Sequence, residues 1–390
     1  MPSCRPLVAA VLLLAAACAA PAAPAREAAQ PSPAAAAAAP TAGGAAAPER
    51  ATSGPPAALS LRLSLGNNVL PLIPNSVLWL AKDLGYYERE GLDVDLLELN
   101  GTPLAIAALV SGQADVANVG VPEAIDLVAT DKAAVRAINS SDARQYFLLA
   151  TAADVQAPAD LQGKTFGVAR IGSVDYTQSL IVLRGLGLDP AADLTFVGVG
   201  DPSTRARALV AGNVQAATFS VATWLPIRRE PGVRVLVDPG AFFRAAPMVA
   251  KTNVASPEAL QGKREALTRF TRAIMATSRY FAQDQAAWVD AVLGRRPDLD
   301  PAELAEAWQH FGEGWGVNGL LNLDHYAETA RFLYSSGALP NAPGIPVDRW
   351  TTTAFVDRAL ADLGVYPGLD DPGRAVSGTS RQLSALGHQQ

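Results

Sequence analysis

Residues 77 to 120 read VLWLAKDLGYYEREGLDVDLLELNGTPLAIAALVSGQADVANVG. The stretch parses as a helix, an acidic strand, a Gly-Thr turn, a second helix and a short strand. A weaker copy lies 100 positions later, where Leu109-Val110-Ser111-Gly112-Gln113-Ala114-Asp115-Val116-Ala117 is echoed by Leu209-Val210-Ala211-Gly212-Asn213-Val214-Gln215-Ala216-Ala217. Gly85 recurs as Gly185, Asp93 as Asp193 and Gly112 as Gly212. A repeat of this kind implies two similar lobes with a cleft between them. The length of 390 residues agrees, because single cores stop growing beyond about 250–300 residues.

Outward from the repeat, strands and helices alternate. Lobe one takes strand Leu61 to Leu65, the Gly66-Asn67-Asn68 loop, a helix from Ser76 to Leu84, strand Val94 to Leu99, and a helix capped by Thr102 with Pro103 at its first position. Strand Val116 to Val119 and a helix opened by Pro122 follow. Lobe two repeats the scheme with strands Thr165 to Ala169, Leu194 to Val199 and Gln215 to Phe219, and helices Asp175 to Arg184, Ser203 to Ala211 and Ala222 to Arg229. Helices of this length between strands favour an α/β fold with mostly parallel sheets. Phe242 to Val254 reads as an extended return to lobe one. Helices are then expected from Ser256 to about Gln283, from Asp300-Pro301-Ala302-Glu303 onward, from Asp324 to Ser336, and from about Asp348 to Leu363.

The N-terminus stands outside both lobes. Leu7 to Ala17 is an apolar run behind Arg5, too short for a span of about 20 residues, and reads as an export signal. Its end, Leu14-Ala15-Ala16-Ala17-Cys18, resembles the lipobox of bacterial lipoproteins, with Ala15 where the pattern prefers leucine. That resemblance implies lipidation at Cys18; an ordinary A-x-A cut is the other reading. Ala19 to about Ala58 is Ala/Pro-rich without apolar periodicity and reads as a disordered tether. The expected organisation is therefore signal 1–18, tether 19–59, lobe one from 60–152 and 250–370 with its helices, lobe two from 153–249, and a disordered tail 371–390. Hinges are expected near Leu148 to Asp154 and Met248 to Asn253.

Composition excludes several functions. Cys4 and Cys18 are the only cysteines, so the folded body has no disulfide and no thiol chemistry. His310, His325 and His388 are scattered, and no metal site or cofactor is expected. The first 60 residues carry three arginines and two acids, which leaves 28 basic against 35 acidic groups, a net charge of −7. Nucleic-acid binding does not fit that balance. Gly163-Lys164 lacks the full phosphate-loop spacing, so no nucleotide site is assigned.

Residues 78–94 (LWLAKDLGYYEREGLDV), with Leu109 to Val116 and Leu161-Gln162-Gly163-Lys164-Thr165-Phe166-Gly167-Val168, resemble the periplasmic solute-binding proteins of ABC importers. The likeness is to the group that binds sulfonates, taurine, nitrate and thiamine precursors, and it covers about residues 61 to 255. It implies a two-lobed type II periplasmic-binding architecture with a helical C-terminal region. It also implies a non-catalytic, monomeric, membrane-tethered protein that takes a small-molecule solute to an ABC permease by hinge closure. Two alternatives stand beside it. One is a ligand sensor for a signalling partner. The other is a thiamine-pyrimidine-synthase-like enzyme, which the lack of cysteine in the folded body disfavours.

Ligands of open α/β sheets bind beyond the carboxyl ends of strands, near helix N-termini. In lobe one those ends offer Asn67, Asn68, Gly101, Thr102, Gly120, Val121, Pro122 and Glu123; in lobe two they offer Gly172, Ser173, Asp201, Ser220, Val221, Thr223 and Trp224. Thr102 and Ser173 double as helix caps. Glu123 answers the helix dipole, or, facing the cleft, disfavours a doubly charged anion. Trp224 is a stacking platform for a flat ring, or core. Tyr86-Tyr87 reads as a packing pair. Arg170 is the one arginine near these loops, so an aromatic or heterocyclic ligand is expected over a small anion.

Overall fold

The computed structural model describes residues 58–367 apart from 73, 143–145, 312–313, 336 and 340–341. The signal, Cys18, the tether up to 57 and the tail from 368 lie outside the described residues. Among the described residues ten strands form two five-stranded sheets of one design: β1 (Leu59–Leu65), β2 (Leu92–Glu98), β3 (Val116–Gly120), β4 (Arg136–Asn139), β5 (Phe147–Ala152), β6 (Lys164–Val168), β7 (Leu194–Gly198), β8 (Ala216–Ser220), β9 (Val233–Val237) and β10 (Lys251–Ala255). The first sheet has the order β2-β1-β3-β10-β4 and the second β7-β6-β8-β5-β9. In each, one strand runs against its neighbours: β10 is antiparallel to β3 and β4, and β5 to β8 and β9. Both reversed strands are the ones that have just crossed between lobes.

The pattern of each strand explains its place. In β1, Leu61, Leu63 and Leu65 are fully buried while Arg62 turns outward to pair with Asp115 at 2.8 Å, the period of two expected of a half-buried strand. Central β3 is buried at all five positions, as a strand covered on both faces must be. The repeat is structural as well: helices Thr102–Val110 and Pro202–Val210 begin and end 100 positions apart. Gly112 and Gly212 both close them with φ near +73°, a left-handed turn that glycine takes without a steric penalty. Gly85 and Gly185 do not correspond. The helix Val174–Gly185 runs through Gly185, and Gly187 makes the left-handed turn instead.

Several expectations shift. β5 belongs to the second sheet, so the first crossing lies between Asn139 and Phe147, one strand earlier than Leu148 to Asp154. The segment Phe242 to Val254 is not extended throughout: Asp238 Oδ1 accepts from the Ala241 N–H at 2.8 Å and starts a helix, Pro239–Ala245, before β10. The helix expected over Ser256 to Gln283 is two, Pro257–Gly262 and Arg264–Gln283, and the one placed over Asp348 to Leu363 is confined to Ala354–Leu363. Ser76 caps nothing; its hydroxyl accepts from the Trp288 indole at 3.0 Å. Tyr87 is packing, its hydroxyl bonded to the Leu78 carbonyl and its ring stacked on Phe270. The C-terminal helices serve both lobes. Arg264–Gln283 packs beside β1 and β2, while Pro301–Phe311 packs on Val221–Trp224 of lobe two, where Arg228 and Glu306 pair at 2.6 Å. Among the described residues no helix is long and apolar enough to cross a membrane.

Candidate functional site

Between the lobes lies a cavity of about 300 Å³, the lower end of the range for small-molecule sites. Its walls are the carboxyl ends of both sheets. Lobe one contributes the loop from Gly66 to Leu72 after β1, Asn100, Thr102 and Lys251; lobe two contributes Phe147, Ser173 to Asp175, Gly200 to Ser203, Arg205 and Ser220. Arg296, Asp298 and Leu299 close it from the C-terminal region. The apolar part of the lining is Leu70, Pro71, Leu72, Phe147, Pro226, Ile227 and Leu299.

Lys251 gives the polar part of the lining its character. It is the first residue of β10, opposite Gly120, and shares a sheet face with Asn253 two positions on. Only 8% of it is exposed. Its Nζ donates to Asn67 Oδ1 and Asn118 Oδ1, both at 3.2 Å, which leaves one of its three N–H donors uncommitted to these amides. Burial pushes the ammonium down to about 8, against the pull of Asp142, Glu123 and Asp175. The other basic residues of the wall differ. Arg205 is buried but pairs with Asp175 at 3.5 Å and donates to the Gly200 and Thr218 carbonyls; Arg296 pairs with Asp298 at 2.8 Å; Arg207 is exposed. Lys251 is thus the one buried cation of the wall without an ion pair among the described residues.

Two helix starts on the lobe-two side are capped by side chains. Asp201 Oδ1 accepts from the Thr204 N–H at 3.0 Å and Oδ2 from its hydroxyl at 2.6 Å, which holds the carboxyl below its ordinary range despite burial. Ser220 Oγ accepts from the Thr223 N–H at 3.2 Å. Asp175 accepts from the Ala169 N–H at 2.8 Å and the Ser173 hydroxyl at 2.6 Å. Lobe two therefore offers polar groups held in place, while helix Val174–Gly185 opens at the cavity wall with no side-chain cap.

Of the residues singled out from sequence, Asn67, Asn68, Thr102, Ser173, Asp201, Ser220 and Thr223 line the cavity. Gly101, Gly172 and Glu123 lie instead at the seam where the lobes touch. A Cβ at Gly101 would meet Arg170 at 3.3 Å, and one at Gly172 would meet Pro103 at 3.5 Å. The Thr177 hydroxyl, from lobe two, donates to Glu123 Oε1 at 2.9 Å, and burial holds that carboxyl above its usual range. Val121, Pro122 and Val221 are buried outside the lining, and so is Trp224, whose one-turn helix carries it into the core under Pro301–Phe311. Trp224 is therefore no platform for a ligand. Arg170 is not the nearest arginine, because Arg205 and Arg207 are in the wall. Lys251, Asn118, Arg205 and Phe147 were missed. The signal for Lys251 was a lone lysine inside the otherwise uncharged run Ala245 to Ala255. Among the described residues no His, Cys, Asp and Glu group could hold a metal ion.

A family model described as "NMT1/THI5 like" matches residues 75–287, more than half of the chain. A Brucella abortus (strain 2308) protein named as a binding protein is 30% identical over 174 residues, 43% of this chain and 51% of that one, so the chain spans about half the length of that curated relative. The nitrate-binding protein NrtA from Synechocystis PCC 6803 superposes with a TM-score of 0.65 at 13% identity, covering 85% of this chain and 99% of that one. The alkanesulfonate-binding protein SsuA from Xanthomonas axonopodis pv. citri, bound to MOPS, gives 0.60 at 18%, covering 77% and 100%. The desulfurization enzyme DSZB gives 0.52 at 16%, covering 77% and 99%. At these identities the structural likeness is one of fold, a two-lobed α/β architecture of the periplasmic-binding kind.

Proposed function

This chain belongs to the NMT1/THI5-like family, and on that premise we propose that it is the solute-binding component of an ABC-type importer. It holds a small organic solute between its lobes, releases it unchanged to a membrane permease, and reaches its place by export and lipidation at Cys18 as a monomer. The observation that carries the reading is a cavity built from both lobes around a buried ammonium, Lys251, that has no ion pair among the described residues. Lys251, together with the apolar lining of Leu70, Leu72, Ile227 and Leu299, supports an organic anion with an apolar body. That replaces the flat heterocycle expected from Trp224.

The test is a thermal-shift and calorimetric panel of aliphatic and aromatic carboxylates and sulfonates against their neutral amides. A bound ligand at 100 times its dissociation constant should add about 2.7 kcal/mol. Anions are expected to stabilise the protein and to be recovered unchanged by NMR. Equal affinity for the neutral amides refutes the anion anchor, and turnover of a bound compound refutes the carrier reading.

A further inference from the structure

Beneath Lys251 runs a chain of buried amides that crosses three adjacent strands. Asn118 on β3 faces Asn253 on β10, which faces Asn139 on β4. All three are at most 1% exposed. Asn118 Nδ2 donates to Asn253 Oδ1 at 2.9 Å, Asn253 Nδ2 to Asn139 Oδ1 at 2.6 Å, and Asn139 Nδ2 to Thr271 Oγ1 at 2.8 Å. Thr271 spends its only proton on the Leu267 carbonyl at 3.0 Å, so toward Asn139 it can only accept. That one constraint propagates. Each amide must present its nitrogen to the next, and the last free face, Asn118 Oδ1, is left pointing at Lys251 Nζ. Asn75 locks the same end by donating to Asn118 Oδ1 at 2.9 Å while its own oxygen accepts from the Ser141 hydroxyl at 2.7 Å. A reversed Asn118 would set an NH₂ against an ammonium in a buried site, where polar mismatches are costly.

We propose that Asn118 is a positioning residue that aims the Lys251 ammonium into the cavity, and that the Asn253–Asn139–Thr271 chain fixes its orientation from helix Arg264–Gln283. Asn118 touches no ligand in this scheme and acts through Lys251. The role of the ammonium toward a solute rests on the proposed function, but the orientation of the chain does not. The charged groups that face Lys251 are Asp142 from the first crossing, Glu123 from helix Val121–Ala129 and Asp175 from helix Val174–Gly185. None belongs to the amide chain, so a change in the chain leaves their charges in place.

The experiment needs no ligand. The protein has five lysines, Lys82, Lys132, Lys164, Lys251 and Lys263, so Cε-labelled lysine NMR of the full chain resolves each titration and Lys251→Met identifies its signal. Lys251 should titrate near 8. Asn118→Leu should lower that midpoint by roughly one pH unit or more, a tenfold change in acid constant, and Asn118→Asp should raise it. Thr271→Val, three amides away and nearly isosteric, should lower it by less. An unmoved midpoint in both Asn118 variants overturns the positioning role. A midpoint that moves in those variants but not in Thr271→Val overturns the chain. A protein that shows these shifts yet binds no anion would count against the binding proposal alone.

Discussion

Lys251→Met should separate binding from stability in opposite directions. The fall of the folded-state ammonium from 10.5 to about 8 corresponds to about 3 kcal/mol of destabilisation below pH 8, at 1.36 kcal/mol per pH unit. The folded chain loses this proton near 8 and the unfolded chain near 10.5. Between those values the unfolded state holds more protons, so native stability should rise with pH. Methionine removes the penalty but leaves Asn67 and Asn118 with one fewer donor, a loss of about 1 kcal/mol each. The net expectation at pH 7 is a ligand-free variant about 1 kcal/mol more stable than the native chain, with the difference closing as pH rises and reversed by pH 9.5. Tyr326 sets the upper limit of the range, because burial raises its hydroxyl and its own titration destabilises the fold above about pH 10. Binding should move the other way: a charged hydrogen bond of about 1.5–3 kcal/mol lost from the cavity weakens an anionic ligand by about ten- to 150-fold. Urea unfolding at pH 7 and 9.5, paired with calorimetry, reads both. A variant that is less stable at pH 7 and still binds the anion at native affinity would sink the reasoning.

The same geometry fixes three further outcomes. Gly120→Ala puts a Cβ 2.0 Å from Glu123 Oε2 and 2.9 Å from Val174 Cγ2 across the seam; ligand affinity should fall about tenfold with a larger radius of gyration by X-ray scattering, and adding Glu123→Ala should recover much of it. Asp175→Asn leaves Arg205 as an uncompensated buried charge and should cost about 3 kcal/mol in urea unfolding; a loss within experimental error would show that the pair is not the support of the lobe-two wall. Glu123→Gln should raise the melting temperature at pH 7 but not at pH 4. Burial lifts the Glu123 carboxyl above its ordinary value, so its stabilising protonation is lost as pH climbs, and glutamine has none to lose. Equal shifts at both pH values would remove titration as the cause.

The repeat was legible because its signals are local: Pro103 and Pro202 in first turns, Gly112 and Gly212 at helix ends, and small polar residues after each strand. Those same signals found Asn67, Thr102, Ser173, Asp201 and Ser220. What escaped depends on pairing between distant segments. That β10 inserts between β3 and β4, and so brings Lys251 to the cavity, follows from register and not from any pattern near Lys251. Trp224 was misplaced for the complementary reason: strand-end position is local, but the one-turn helix that turns its ring inward is covered by Pro301–Phe311 from far along the chain. The Pro239–Ala245 helix also escaped, although its start carries a local signal, Asp238 as cap with Pro239 at the first position.

The two halves of the repeat diverge in how they hold a buried cation. Asn118 and Thr218 occupy the same place in the third strand of their lobes, and each supports a buried cation: the side chain of Asn118 accepts from Lys251, and the carbonyl of Thr218 accepts from Arg205 at 3.3 Å. Arg205 is then neutralised within lobe two by Asp175. Among the described residues Lys251 has no such partner, and a buried ammonium without one destabilises the fold that holds it. A cost of that kind is compensated when a ligand supplies the missing charge and its affinity includes the relief. A lysine whose charge were irrelevant to binding could be replaced by methionine with gain in stability and no loss elsewhere; the measured affinity of that variant therefore decides whether the asymmetry between the lobes is the binding determinant or an accident of the repeat.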